Sequence, residues 1–312
     1  MDETLAIRIE NLAKTFGRGT KRVEAVKGIN LEVQAGQVYG FLGPNGAGKT
    51  TTIRMLLDLI RPTNGQVYIF GHSVRQYPEI LRRVGALVEG ATFYPFLTGR
   101  RNLEVLARTS DCYDPARINL LLDQLGLADR ADHRVNGYST GMKQRLGVAG
   151  ALLTNPELVI LDEPTNGLDP AGIQDMRVFI RDLVDKQGKT VFLSSHLLSE
   201  VEQVCGRVAI INHGEIIREG TVAELLSSKS QLRVEATPLD QVVAALGADW
   251  TVAPNGVSVT IDASRADVPH IVRKLVEYGI DIYQIADQRQ TLEEYFLSVT
   301  QTEVEHGEPV SR

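Results

Sequence analysis

Apolar and polar positions alternate along LAIRIENL and GINLEV within residues 1–35, the period-two pattern of strands with one buried face. The basic stretch Gly17–Arg22 between them reads as a loop. Alternation then gives way to short unbroken apolar runs at Val38–Leu42, Leu158–Leu161 and Val191–Leu193. Such runs suit strands buried on both faces of a parallel sheet. Helices are predicted over Thr50–Leu59 and about 171–186. The segment from roughly 98 to 155 has helical spacing, with Leu103, Leu106 and Ala107, then Leu120–Leu122 and Leu125. Strands alternating with helices indicate an α/β unit.

The composition changes at Ser227–Ser230 (SSKS). The pattern beyond it predicts a strand at 232–236, a helix at 239–246, strands at 250–253 and 257–261, a helix at 267–278 and a strand at 280–286. Asn255–Gly256 is a strong hairpin signal between the middle pair. The order βαββαβ is that of a ferredoxin-like α+β plait. A short closing helix is expected at Leu292–Val299. The expected organisation is therefore an α/β domain over 1–230, with a helical subdomain over about 90–155, an accessory domain over 231–300 and a disordered tail over 301–312.

Composition narrows the function classes. At 312 residues, 43% hydrophobic and 23% charged, the chain can bury a full core. No stretch approaches the roughly 20 apolar residues of a membrane-spanning helix, and the N-terminal MDETLAIRIE lacks the apolar region of a secretory signal. Cys112 and Cys205 have neither metal-ligand nor CxxC spacing, so a reduced, cytosolic compartment is expected. Residues 231–312 hold 6 Lys/Arg against 13 Asp/Glu, whereas residues 1–230 hold 27 against 26. That acidic quarter argues against a nucleic-acid partner, since phosphate binding wants a basic face.

Four motifs carry chemistry. GPNGAGKT at 43–50 fits G-x-x-x-x-G-K-[ST] and lies between an apolar strand and an amphipathic helix. Gly43, Gly46 and Gly48 are expected to take positive φ, so that N–H groups turn inward around an anion. Lys49 supplies a point charge, Thr50 a hydroxyl within reach of Mg2+, and the helix its N-terminal dipole. LVILDEP at 158–164 puts Asp162 and Glu163 at the carboxyl end of a buried strand, the edge where ligands bind in such sheets; alone it would pass for a solvated acidic turn. VFLSS delivers His196 to that edge. YSTGMKQR at 138–145 places Ser139 as an N-cap, and on its own reads as a plain capped helix.

Together these motifs resemble the ATP-binding subunits of ABC transporters, over about residues 5–230. The P-loop, the family fingerprint as Tyr138–Met142, LVILDEP, GLD at 167–169 and His196 stand in the family's order. The resemblance implies an ATPase that uses Mg2+. The loop Gly43, Pro44, Asn45, Gly46, Ala47 and Gly48 would wrap the phosphates, Lys49 would bind the γ-phosphate, and Thr51 the α-phosphate. Thr50 and Asp162 would hold the metal, Glu163 would be the general base, His196 a γ-phosphate contact and Phe16 the aromatic that stacks on adenine. Ser139 and Gly141 would reach ATP on a second protomer in a head-to-tail dimer, with Asp169 at the seam.

Two departures stand out. Tyr138, Thr140 and Met142 replace three residues of the usual Leu-Ser-Gly-Gly-Gln, and Glu89 stands where most members carry a metal-and-water Gln. Glu89, the aromatic-Pro loop Phe93–Phe96 after it, and the C-terminal TLEEYFLSVT resemble the subgroup that exports drugs and antimicrobial peptides. Its cytoplasmic-face location would come through a separate multi-spanning permease, contacted by the 91–103 loop; alternatively, these aromatics pack under the helical lobe. A soluble ABC ATPase of translation or DNA maintenance is the competing reading, disfavoured by a single P-loop and the lack of a heptad run or basic patch.

Overall fold

The computed structural model describes residues 4–90, 92–226, 231–288 and 291–296. The chain divides into two compact units, Met1–Gly220 and Thr221–Arg312. This division falls ahead of the SSKS composition change, which itself lies outside the described residues.

The first unit opens with β1 (Leu5–Phe16), β2 (Val23–Gln34) and β3 (Val38–Leu42), followed by the glycine-rich loop and α1 (Lys49–Leu56). Next come β4 (Asn64–Ile69), β5 (His72–Ser73) and β6 (Val84–Leu87). A helical stretch follows, comprising α2 (Gly99–Thr109), α3 (Pro115–Gln124) and α4 (Thr140–Ala151). The unit then alternates β7 (Leu158–Asp162), α5 (Pro170–Asp185), β8 (Thr190–Ser195) and α6 (Leu198–Val204), and finishes with β9 (Arg207–Asn212) and β10 (Glu215–Thr221). Two sheets result, one antiparallel in the order β2-β1-β4-β5 and one six-stranded in the order β10-β9-β3-β8-β7-β6.

Every residue of β3, β7 and β8 is buried, the expectation for the middle of a parallel sheet covered on both faces. Pairing is parallel and in register, Val38↔Val191 to Leu42↔Ser195 and Leu158↔Thr190 to Asp162↔Ser194, so all three strands end at one edge. Tyr39, Phe41 and Phe192 form an aromatic stack across β3 and β8, with ring centroids 5.9 and 5.6 Å apart; each fully buried ring contributes roughly 1.5–3 kcal/mol of transfer energy. Helix starts are capped as their sequences require. Thr98, Asp114, Ser139 and Asp169 each accept an N–H of the first turn, and Pro115 and Pro170 occupy first-turn positions where no N–H is needed. Helix α1 is shorter than the apolar period suggests, because Asp58 turns left-handed (φ 52°) beyond Leu57.

The second unit begins with the end residue of β10 and a short α7 (Val222–Leu226). It then runs β11 (Gln231–Thr237), α8 (Leu239–Leu246), β12 (Val252–Asn255), β13 (Ser258–Ile261), α9 (Val268–Glu277) and β14 (Asp281–Gln288). The sheet order is β12-β13-β11-β14, all antiparallel, the connectivity of a ferredoxin-like plait. Gly256, at φ 62°, makes the tight turn joining Asn255 to Ser258. Val234, Val259 and Ile261 from the sheet pack on Val242, Leu246, Ile271 and Leu275 from the helices. Residues 292–296 are helical; the remainder of the expected closing helix and the 301–312 tail lie outside the described residues. Among the described residues, no helix is long and apolar enough to cross a membrane.

Strand β6 passes so close to the end of α4 that a Cβ on Gly85 would stand 1.9 Å from the Ala151 carbonyl oxygen and 2.7 Å from Pro156. Gly85→Ala is therefore expected to lower stability by about 3 kcal/mol, read as a shift in the denaturation midpoint at unchanged slope.

Candidate active site

The glycine-rich loop leaves the buried end of β3 and feeds α1. Gly46 and Gly48 take positive φ, 83° and 109°, as the motif requires. Gly43 does not. Its requirement is space, since a Cβ there would lie 2.2 Å from the Ile211 carbonyl oxygen. Pro44, Asn45 and Gly46 face solvent, while Ala47, Gly48 and Lys49 are buried. The Ala47 carbonyl accepts from Gly214 N–H, and the Gly48 carbonyl accepts the Thr52 hydroxyl, which pins the loop to the sheet and to its helix. Thr51 is half-buried beside them.

Lys49 is only 6% exposed. Its ammonium donates to the Gly43 carbonyl at 2.7 Å and the Pro44 carbonyl at 3.3 Å, and lies 3.2 Å from Glu163 Oε1. Buried charge of this kind persists only when paired. The other oxygen of Glu163 is 2.7 Å from His196 Nδ1. One carboxylate thus joins the loop of β3, the end of β7 and the end of β8. Alongside runs a second chain, in which Thr50 Oγ1 donates to Asp162 Oδ2 at 2.8 Å and Ser194 Oγ to Asp162 Oδ1 at 2.5 Å. Thr50 and Asp162 form a pair of hard oxygen donors suited to Mg2+.

Ser194 has a second task that the sequence pattern left unassigned. Its Oγ and its backbone carbonyl both accept the Glu163 N–H, at 3.1 and 3.2 Å, and Glu163 itself takes φ 51°. From α4, Gln144 Nε2 donates to the Glu163 carbonyl at 3.0 Å. Both residues lay inside quoted motifs, VFLSS and YSTGMKQR; what hid them was that their partners are 31 and 19 residues away.

The other predicted residues stand outside this network. Ser139 caps α4, accepting Met142 N–H at 3.2 Å. Gly141 is in close contact with the GLD turn, where a Cβ would stand 3.0 Å from Leu168, and Asp169 caps α5 through Gly172 N–H. Phe16, at the end of β1, is half in solvent, with the Lys14 ammonium 5.0 Å from its ring centre. Glu89 is exposed, has positive φ (52°) and is ion-paired to Arg54 of α1, one turn beyond Thr50. Tyr138 fills the first fingerprint position as a core residue. Its hydroxyl donates to the Arg130 carbonyl at 2.6 Å, and its ring end occupies the space a Cβ on Gly99 would need, 2.3 Å from Oη. Burial pushes the Tyr138 phenol pKa up.

In the aromatic loop, Phe93 is half-buried, whereas Tyr94 and Phe96 are 53% and 64% exposed with ring centroids 5.8 Å apart. Buried Asn102 holds this loop in place. It accepts from Tyr94 N–H at 2.8 Å and donates to the Tyr94 and Thr98 carbonyls at 3.1 and 3.0 Å.

Residues 26–166 match the family model described as ABC transporter. The chain is 40% identical to the bacitracin transport ATP-binding protein BcrA of Bacillus licheniformis over 300 residues, covering 94% of this chain and 96% of that protein. It is 37% identical to the daunorubicin/doxorubicin resistance ATP-binding protein DrrA of Streptomyces peucetius, covering 95% and 93%. Among solved structures it is similar to the ATP-binding cassette MJ0796 in a dimeric post-hydrolysis state bound to ADP and Pi. That match has a TM-score of 0.64 and 27% identity, and covers 69% of this chain and 98% of that one.

Replacing Asn102 by Ala removes three hydrogen bonds around one buried side chain. The expected cost is about 2 kcal/mol, measured by thermal denaturation, with Asn102→Asp at least as costly because it turns a buried carboxylate oxygen towards the Tyr94 and Thr98 carbonyls.

Proposed function

The chain belongs to the ABC transporter family as one of its ATP-binding, ATP-hydrolysing subunits, and from that premise we propose that it drives export of a drug, antibiotic or antimicrobial peptide through a separate permease. The likeness over almost the whole length to BcrA and DrrA, whose names state bacitracin transport and daunorubicin/doxorubicin resistance, supports this substrate class. The single observation that carries the catalytic reading is Glu163 held between Lys49 and His196.

In this reading Glu163 is the general base that takes a proton from the attacking water. His196 Nδ1, at 2.7 Å, fixes one carboxylate oxygen and contacts the γ-phosphate. Lys49 exchanges its carbonyl partners for β- and γ-phosphate oxygens, and the Gly43–Gly48 loop, through the N–H groups of Asn45, Gly46, Ala47 and Gly48, closes with Thr51 around the chain of phosphates. Phe16 stacks on the adenine. Thr50 and Asp162 would hold Mg2+, which would neutralise phosphate charge. Catalysis here is positioning plus electrostatics. Glu89 would leave Arg54 to face the metal, and an exposed ion pair, worth about 0–1 kcal/mol, does not prevent that. Ser139 and Gly141 present a capped helix start to the nucleotide of a second copy, with Asp169 at the seam of a head-to-tail dimer. The predicted 91–103 loop is shorter than expected, because α2 begins at Gly99. Its described part, 92–98, with Tyr94 and Phe96 outward, is the contact for a permease helix, since exposed aromatic patches favour partner surfaces. The chain then works at the cytoplasmic face of the membrane.

Glu163→Gln is expected to bind ATP normally, lose hydrolysis by at least about 10²-fold and accumulate as an ATP-dependent dimer on gel filtration; wild-type turnover would remove the base assignment. Glu89→Gln should shift the Mg2+ dependence of turnover. The double change Tyr94→Ser, Phe96→Ser should leave ATPase activity and folding intact while abolishing co-purification with a multi-spanning membrane protein. Continued co-purification places the contact elsewhere.

A further inference from the structure

The backbone of Glu163 is unusual for a residue with a side chain. Its φ of 51° lies in the left-handed region, and such a conformation persists only where neighbouring groups over-determine it. Its N–H is fixed by Ser194, through both Oγ and the backbone carbonyl. Its carbonyl accepts Asn166 N–H at 3.1 Å, closing the turn that follows β7, and Gln144 Nε2 at 3.0 Å. The Asn166 bond belongs to the turn itself. The Gln144 bond comes from a different element, the helix that starts at Ser139, and its donor is 8% exposed on a face shared with buried Gly147 and Val148.

A primary amide has geometric reasons to serve here. It supplies an N–H donor without charge, so it can be buried against a carbonyl at no desolvation penalty for an ion. Being anchored in a packed helix, it fixes the peptide plane after Glu163, while Ser194 fixes the one before it. A twist of that plane would swing the carboxylate away from Lys49 and His196, which meet its two oxygens from different strands. We propose that Gln144 is a positioning residue for hydrolysis. It holds the Glu163 peptide in its left-handed turn, and so aims the carboxylate, without touching nucleotide. This rests on the reading of Glu163 as the general base.

The test compares Gln144→Met, of similar length with no donor, and Gln144→Asn, an uncharged amide one methylene too short to reach the Glu163 carbonyl. The second variant covers the case in which the first fails to fold. The full-length protein is assayed for steady-state ATP hydrolysis, fluorescent ATP-analogue binding, thermal midpoint and ATP-dependent dimer on gel filtration. The expected result is a fall in kcat of about tenfold, with KM for ATP and analogue affinity within twofold, a thermal midpoint lowered by no more than the few degrees that one lost hydrogen bond costs, and an enriched dimer. Wild-type kcat in both variants overturns the proposal. So does a loss of kcat matched by an equal loss of nucleotide affinity, or one that tracks partial unfolding at the assay temperature, which marks a purely structural contact. Glu163→Gln run in parallel separates the two claims. If it hydrolyses normally, the base assignment fails; if it is inactive while the Gln144 variants are normal, only the positioning role fails.

Discussion

Three buried strands in parallel register are the constraint on which everything else depends. Because β3, β7 and β8 run the same way and pair without offset, the phosphate loop, the two carboxylates and the histidine emerge at one edge. Parallel pairing demands long crossovers between strands, and the chain uses those crossovers for its other work. The crossover after β3 carries the loop and α1, while the one leading into β7 carries the helical stretch with its aromatic loop and the Ser139 cap.

The electrostatics at that edge follow from crowding. An ammonium, two adjacent carboxylates and an imidazole share one small volume, and each anionic oxygen has a donor assigned to it: Lys49 and His196 on Glu163, Thr50 and Ser194 on Asp162. Asp162 ends β7 and Glu163 turns left-handed just beyond it, which sends the neighbouring acids to different partners.

Sequence reasoning reached this edge because the P-loop, the LVILDEP strand and His196 are local patterns whose chemistry dictates spacing. It reached the C-terminal plait because alternation and Asn255–Gly256 are local too. The strands β4, β6, β9 and β10 escaped notice; VGAL and RVAIIN are short, and nothing in their immediate surroundings sets them apart from apolar helix segments. Gly43 was assigned the wrong reason, since a glycine needed for close approach to Ile211 carries no mark distinguishing it from one needed for positive φ. Arg54 beside Glu89 and Gln144 beside the Glu163 carbonyl are contacts between distant positions, which no single-sequence period encodes.

Tyr138 and Gly99 lock together: the phenol fills the volume next to a residue that has no side chain, and spends its hydroxyl on the Arg130 carbonyl. The unusual first letter of the fingerprint is thereby bound to a choice made 39 positions earlier. Neither residue can drift alone. A leucine at 138 would leave a void and remove one of the two hydrogen bonds on the Arg130 carbonyl, and any larger residue at 99 would collide with the ring. The first letter of this fingerprint is therefore a packing choice, and a substitution at either position has its effect only together with what stands at the other.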